Sequence, residues 1–302
     1  MSRQGVLVMA YGTPSGLEDV EAYYTDIRGG RPPTPELLGE LVARYRAIGG
    51  RSPLLDITRA QAEGIRDRLQ GVSVYIGQKH APPFIADAVR QMQAAGVDHA
   101  VGIVLAPHFS AMSIGDYERR ALRAASDSGW TGTLTVIQNW HLEPGYISFL
   151  AHALDRALEE LPEEARAAAV VLFTAHSLPE RILEHDDPYP EQLLETAAAV
   201  AREADVAHWR IAWQSAGRTA DPWIGPDVLD VLFRLKNESA PGVVICPCGF
   251  VADHLEVLYD VDIEARRLAQ SLELPFARTR SPNADPRFLD ALAAVVERAL
   301  TT

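Results

Sequence analysis

Eight short apolar runs constrain how this chain can fold. Residues 6–9 (VLVM), 72–76 (VSVYI), 101–105 (VGIVL) and 134–137 (LTVI) are rich in β-branched side chains, and helical-period segments such as 83–95 and 144–161 separate them. The same rhythm resumes at 170–174 (VVLFT), 210–214 (RIAWQ), 243–246 (VVIC) and 274–278 (LPFAR). Strand, helix, strand at this spacing predicts βαβ units, and runs apolar on both faces predict parallel sheets covered by helices. Two sets of four predict an α/β chain of two similar Rossmann-like domains. Each is expected to hold a four-stranded parallel sheet flanked by helices, with the active site in the cleft between them. The boundary falls at the Pro- and Glu/Ala-containing stretch 161–168, giving domains 1–161 and 162–302. The last helix, about 286–300, fits either domain and could pack back on the first.

A weak internal repeat agrees with two copies of one unit. VLVMAYGTP (6–14) aligns with VLFTAHSLP (171–179), and VLAPHF (104–109) with VICPCGF (244–250). The alignment puts Tyr11 and His176 at one position, just past the first strand of each half. Ligands of open α/β sheets bind outside the carboxyl ends of the strands. Two halves facing each other would therefore bring Tyr11 and His176 across a cleft.

The stretch 243–266 reads as a buried strand, a Pro/Gly corner and a helix carrying Asp253, Glu256, Asp260 and Glu264. At about 100° per residue, spacings of three, four and four place these acids in one stripe roughly 80° wide. Apolar residues run nearly all round the same helix, which predicts burial, and buried carboxylates are costly unless they bind cations, pair or hold protons. Two readings stand: a solvated acidic face, or a cation site. Asp253, at the helix start, is expected to cap the helix N-terminus. His176 at one strand tip and Glu256 beyond another could together accept protons and handle a divalent cation.

The formal net charge of -13 excludes the basic footprint that a nucleic-acid partner needs. No basic-then-apolar leader and no run of 18 apolar residues is present, so a cytoplasmic chain without a membrane span is expected. Cys246 and Cys248 are the two cysteines, one residue apart on a strand end. They read as buried structural thiols.

Several longer motifs carry a family resemblance. MAYGTP (9–14), RYRAIGGRSPL (44–54), KHAPPFI (79–85), LAPHFS (105–110), FTAHSLPER (173–181), SAGRTADPWIGPDV (215–228) and GFVADHLEVLYDVD (249–262) run in order through nearly the whole chain. Together they resemble the ferrochelatase family, and within it the coproporphyrin type of Gram-positive-type bacteria, which the run Met9-Ala10-Tyr11 also favours.

The resemblance implies a chelatase-type fold and insertion of Fe(II) into coproporphyrin III to give coproheme. It implies that His176 and Glu256 are the catalytic pair, and that Asp260 and Glu264 continue an acidic metal ladder on a helix locally widened to π form. Tyr11 is implied to face the metal from the side opposite His176. Arg28, Arg44, Tyr45, Ser52 and Tyr117 match porphyrin-propionate positions, and Arg31 in the same loop and His80 complete the implied porphyrin-binding set. A tetracarboxylate substrate is opposed by the chain's negative field, so local cations must outweigh it. Two cysteines and no cysteine-bearing tail imply no iron–sulfur cluster and no resident cofactor, iron being a substrate. The implied partners are the tetrapyrrole and ferrous iron, with transient handover to a coproheme decarboxylase, and a monomer is expected. Two alternatives remain open. One is a chelatase of this fold for another pair, such as protoporphyrin IX with iron or sirohydrochlorin with cobalt. The other is a non-catalytic haem or porphyrin carrier, which would need neither His176 nor Glu256.

Overall fold

A computed structural model describes residues 3–217, 219 and 221–301; Arg218 and Ala220 of the 215–228 motif lie outside the described residues. The eight apolar runs form eight strands: β1 (Gln4–Ala10), β2 (Ser73–Gln78), β3 (His99–Val104), β4 (Thr133–Val136), β5 (Val170–His176), β6 (Trp209–Gln214), β7 (Val243–Cys246) and β8 (Phe276–Arg278). They make two sheets, ordered β2-β1-β3-β4 and β6-β5-β7-β8, in which every pairing is parallel. The two topologies coincide strand for strand. In each sheet the first strand of the half lies inside, so β1 and β5 are buried almost end to end, as their uninterrupted apolar sequences require.

Helices cover both sheets. Pro144–Glu159 turns Tyr146, Phe149, Leu150 and Leu154 inward into a core shared with β5 and the helix Tyr189–Glu203. The C-terminal helix Pro286–Thr301 packs against Leu54–Arg68 and Pro144–Glu159, both from the first 161 residues. Gly64 makes that contact possible, because a Cβ there would lie 2.5 Å from Leu289 Cδ1. Polar bonds fix the same junction. Gln61 Nε2 donates to the carbonyls of Val251 at 3.0 Å and Asn283 at 2.9 Å, and Arg68 reaches Asp290 at 2.6 Å. The loop before the acidic helix is thereby tied to the first half of the chain.

The acidic stretch takes the π form that the family resemblance implies, in place of the regular α-helix that the 100° stripe assumes. After Leu255 and Glu256 the backbone is a π-helix over Val257–Ala265. Its wider i→i+5 turn replaces the 100° step used to draw the stripe, and such bulges concentrate at functional sites. Asp253 is not the expected helix cap. Its carboxylate accepts from Asn283 Nδ2 at 2.8 Å, Ser281 Oγ at 2.7 Å and Arg278 Nη1 at 3.2 Å. Arg278 also grips Asp262 in a fork of 3.0 and 2.6 Å, so one guanidinium at the end of β8 holds both the entry and the middle of the helix. Tertiary partners with good geometry outcompeted a local cap worth about 1 kcal/mol.

Candidate active site

A cavity of about 470 Å³ opens at the carboxyl ends of both sheets. Ala10 to Thr13 after β1 and Val104 to Ala106 after β3 line it from the first half. His176 and Leu178 after β5 and Gly249 to Ala252 after β7 line it from the second. Its size falls in the ordinary range for small-molecule sites.

Gly249 decides how closely the β7 loop approaches β5: its N–H bonds the Thr174 carbonyl at 2.9 Å, and a Cβ would sit 2.4 Å from that of Ala175. The next helix is consequently drawn in beside His176. Gln214, at the tip of β6, accepts from Thr174 Oγ1 at 2.7 Å and donates to the Glu256 carbonyl at 3.1 Å. Gly249 and the buried Thr174–Gln214 pair thus set where Glu256 stands.

His176 Nδ1 donates to the Ser177 carbonyl, which can only accept, so this nitrogen carries a proton and Nε2 is the free basic position. Nε2 faces Glu256 Oε1 at 3.5 Å. The other carboxylate oxygen, Oε2, lies 3.4 Å from His254 Nε2, and His254 Nδ1 is fixed by the Ala252 carbonyl at 2.9 Å. Glu256 therefore bridges two histidines, each held from behind by a carbonyl. Burial works against charge on both members of the central pair, but their mutual attraction wins. The His176 pKa is raised above its ordinary value, and the Glu256 carboxyl is held well below the usual range by His176 and His254.

The opposite wall is phenolic. Tyr11, just past β1, lies against His80 with ring centroids 4.7 Å apart, and Tyr23, Tyr45 and Tyr117 stand around it. Tyr11 keeps 41% of its surface accessible and lines the cavity, yet the surrounding protein desolvates its phenol and pushes the pKa up, with the Glu256 charge adding to the shift. Burial does the same to Tyr23 and Tyr117, and it pushes Tyr45 up to about 12. These hydroxyls are neutral at physiological pH.

The remaining expected site residues divide into two groups. Tyr11, Tyr45, Ser52, Tyr117, His176 and Glu256 line the cavity. Arg28, Arg31, Arg44, His80, Asp260 and Glu264 stand outside the lining. Arg28 and Arg31 donate to each other's carbonyls at 3.2 and 3.3 Å, and His80 Nδ1 pairs with Asp26 at 2.6 Å. Arg44 forms an ion pair with Asp260, which also accepts from Ser215, and its guanidinium lies 4.6 Å from the centroid of the Tyr259 ring. Asp260 is buried and Glu264 exposed. Among the described residues no cluster of three or more His, Cys, Asp or Glu side chains forms a ready metal cage. Cys246 and Cys248 are fully buried free thiols.

Sequence reasoning missed His254, Lys79, Arg181 and Trp223. All four lie inside the family motifs, but a motif does not say which of its members faces the cavity. Lys79 Nζ pairs with Asp116 at 2.6 Å and sits 5.1 Å from the Tyr117 ring centroid. Asp116 is shared with Arg120 at 3.0 Å and Arg119 at 3.6 Å, so cations outnumber acids at this rim. Trp223 stands 6.3 Å, ring to ring, from His176.

Comparison with known proteins gives this geometry its context. A family model described as ferrochelatase matches residues 3–300. The coproporphyrin III ferrochelatase of Geobacillus sp. (strain WCH70) is 48% identical over 301 residues, covering 97% of this chain and 97% of the relative. That of Bacillus subtilis (strain 168) is 46% identical over 311 residues, covering 99% of each chain. Among solved structures, the sirohydrochlorin chelatase of Bacillus subtilis subspecies spizizenii in complex with cobalt superposes with a TM-score of 0.65. The match covers 100% of this chain and 96% of that one, and at 13% identity it speaks for the fold alone.

Proposed function

The chain belongs to the ferrochelatase family, and we propose that its cavity inserts ferrous iron into coproporphyrin III with His176 and Glu256 as the groups that receive the pyrrole protons. The observation that carries this reading is the His176–Glu256 pair: Nε2 is left as the basic nitrogen by the Nδ1–carbonyl bond, and it faces a carboxylate 3.5 Å away at the cavity wall.

The chemistry comes from charge balance. Free-base porphyrin carries two inner N–H protons, and Fe(II) replaces both, so each insertion releases two protons and leaves a neutral metalloporphyrin core. His176 Nε2 accepts the first proton, and the resulting imidazolium is stabilised by the adjacent Glu256 carboxylate. Glu256 passes the second to His254, its other neighbour, and so outward. Carboxylate and imidazole are ligands that strip water from Fe(II) without the grip of thiolate, which suits a metal that must be released into the ring. Tyr11 faces this wall as a neutral hydroxyl and contributes shape and a weak oxygen contact. Glu264 and then Asp260 serve as outer steps for the metal, and Asp260 becomes available to a cation when Arg44 gives way.

No helix among the described residues is long and apolar enough to cross a membrane. The proposed reading also has a monomer act in the cytoplasm and pass its product to a coproheme decarboxylase. The reading includes no resident cofactor; iron and acid-labile sulfide assays on the purified chain should find no stoichiometric cluster. The deciding experiment is anaerobic incubation with Fe(II) and coproporphyrin III, followed by loss of porphyrin fluorescence, beside a parallel arm with protoporphyrin IX. Faster metallation of coproporphyrin III is expected. Binding without metallation would leave a carrier and refute the enzyme reading.

A further inference from the structure

A substrate with four carboxylates has to be held by a chain of net charge -13, so the cations that line the cavity decide where it docks. Among the described residues two Lys or Arg side chains line it, Lys79 on the first-half wall and Arg181 on the second. Lys79 is spent: only 10% of its side chain is accessible, and Asp116 holds it at 2.6 Å. Arg181 is different. It pairs with Asp221, which also lines the cavity, through a single Nη1–Oδ2 contact of 2.9 Å, and the two side chains are 53% and 50% exposed.

We propose that Arg181 is a carboxylate anchor of the second-half lip, which exchanges Asp221 for a carboxylate of the bound porphyrin and so favours substrates that carry one at that corner. The inference rests on the functional reading above and adds a residue to it.

The backbone under Arg181 is rigid. Glu180 N–H bonds the Pro222 carbonyl at 2.9 Å, Ile224 N–H bonds that of Leu178 at 2.9 Å, and Ser177 Oγ donates to the Ile224 carbonyl at 2.7 Å. Pro179 and Trp223 bridge between these bonds. The segment that leaves His176 is therefore clamped to the segment that carries Asp221, and what can move is the side chain. An ion pair this exposed contributes little to stability, so giving it up costs little. Guanidinium offers a planar fork of donors suited to two carboxylate oxygens, and Asp221 occupies one arm. Asp221 then acts as a competitor for the site, which holds Arg181 at the lip when no porphyrin is bound.

Competition gives opposite signs for the two partners. Arg181→Gln should weaken coproporphyrin III binding about threefold to tenfold, as expected for loss of one partly exposed charge-assisted pair. Asp221→Asn should tighten it about twofold to threefold, because it frees the guanidinium. Both effects should shrink as salt is raised. Binding is read by porphyrin fluorescence and tryptophan quenching without metal, and metallation by wild type is measured in the same preparations. In turnover the Arg181→Gln loss should fall on KM for the porphyrin and not on kcat. An ion pair of structural importance alone would move both variants in the same direction; unless they move in opposite directions, the proposal falls. A wild-type chain that metallates coproporphyrin III while the variants shift together overturns this inference alone. A wild type that does not take up coproporphyrin III overturns both.

Discussion

The two walls of the cavity are built by the same four-stranded topology, yet one is phenolic and neutral while the other is ionised. Tyr11 and His176 each stand at the tip of the inner strand β1 or β5. Around Tyr11 the neighbours are Tyr23, Tyr45 and Tyr117, whose hydroxyls burial keeps protonated. Around His176 the neighbours are Glu256 and, beyond it, His254, whose contacts hold charge against the same desolvation. A duplicated scaffold thus supplies one surface that can hold a flat apolar ring and one that can take protons from it. The difference lies in the segment after the third strand of each half. Beyond β3 the chain turns into a Pro-His loop, whereas beyond β7 Gly249 lets the acidic π-helix close on β5.

This contrast can be broken most sharply at His176. His176→Ala should lower the rate of Fe(II) insertion by about 10²-fold or more, the usual contribution of a positioned base, with porphyrin binding retained. Anaerobic fluorescence assays and tryptophan quenching read the two separately, and turnover near wild type would remove the ionised wall from the mechanism.

Glu256→Gln should cost roughly 10-fold to 10²-fold and also change the pH profile. The folded His176 pKa lies above its ordinary value of 6.5, so the rate of the intact chain should climb with pH through a midpoint above that value as Nε2 loses its proton. The substitution removes the charge that raises it, and the midpoint should move down. The stability linkage has the matching sign. The His176 contribution is complete below 6.5 and fades as pH rises through the folded value. The Glu256 contribution is complete above 4.5 and fades on acidification through its depressed value.

The seam between the walls gives a smaller effect. Arg44 comes from the helix Pro35–Ala47 and Asp260 from the π-helix, so their ion pair ties the two halves together. Asp260→Asn leaves Arg44 without its charge partner and should lower unfolding free energy by about 1–3 kcal/mol, less than a fully buried pair would lose because Arg44 is partly exposed. Urea titration tests this, and an unchanged midpoint would show that the Arg44–Asp260 pair does not help to hold the seam.

Tyr11→Phe should be the mildest. With the phenol neutral, removing its oxygen should change the insertion rate by less than about threefold. A loss comparable to that of His176→Ala would show that both walls share the chemistry.

The fold was legible because parallel strands buried on both faces must read as uninterrupted apolar runs, and 6–9, 170–174 and 243–246 all do. His176 and Glu256 were legible as candidates because a polar side chain at a strand tip, and an acid on an apolar helix, each need an explanation. Their partners were not. His254 occupies a position in GFVADHLEV that spacing alone does not distinguish from a surface site, and its bond to Glu256 exists because the tilted Phe250 ring lies against it, centroids 4.9 Å apart, and Ala252 fixes its Nδ1. Arg44 matched a propionate position, but its guanidinium pairs with an aspartate 216 residues further along the chain.

By itself the sequence determined two parallel sheets with Tyr11 and His176 at matching places at the end of the first strand of each half, since hydrophobic periodicity acts locally and is written residue by residue. Only the tertiary structure decided which ionisable side chains meet. Burial and partner, which come from both halves of the chain, set whether Glu256 is paired between two histidines, whether Asp260 is open or tied to Arg44, and whether Arg181 points at a cavity. Those quantities fix charge and protonation at the site, and no spacing along the chain encodes them.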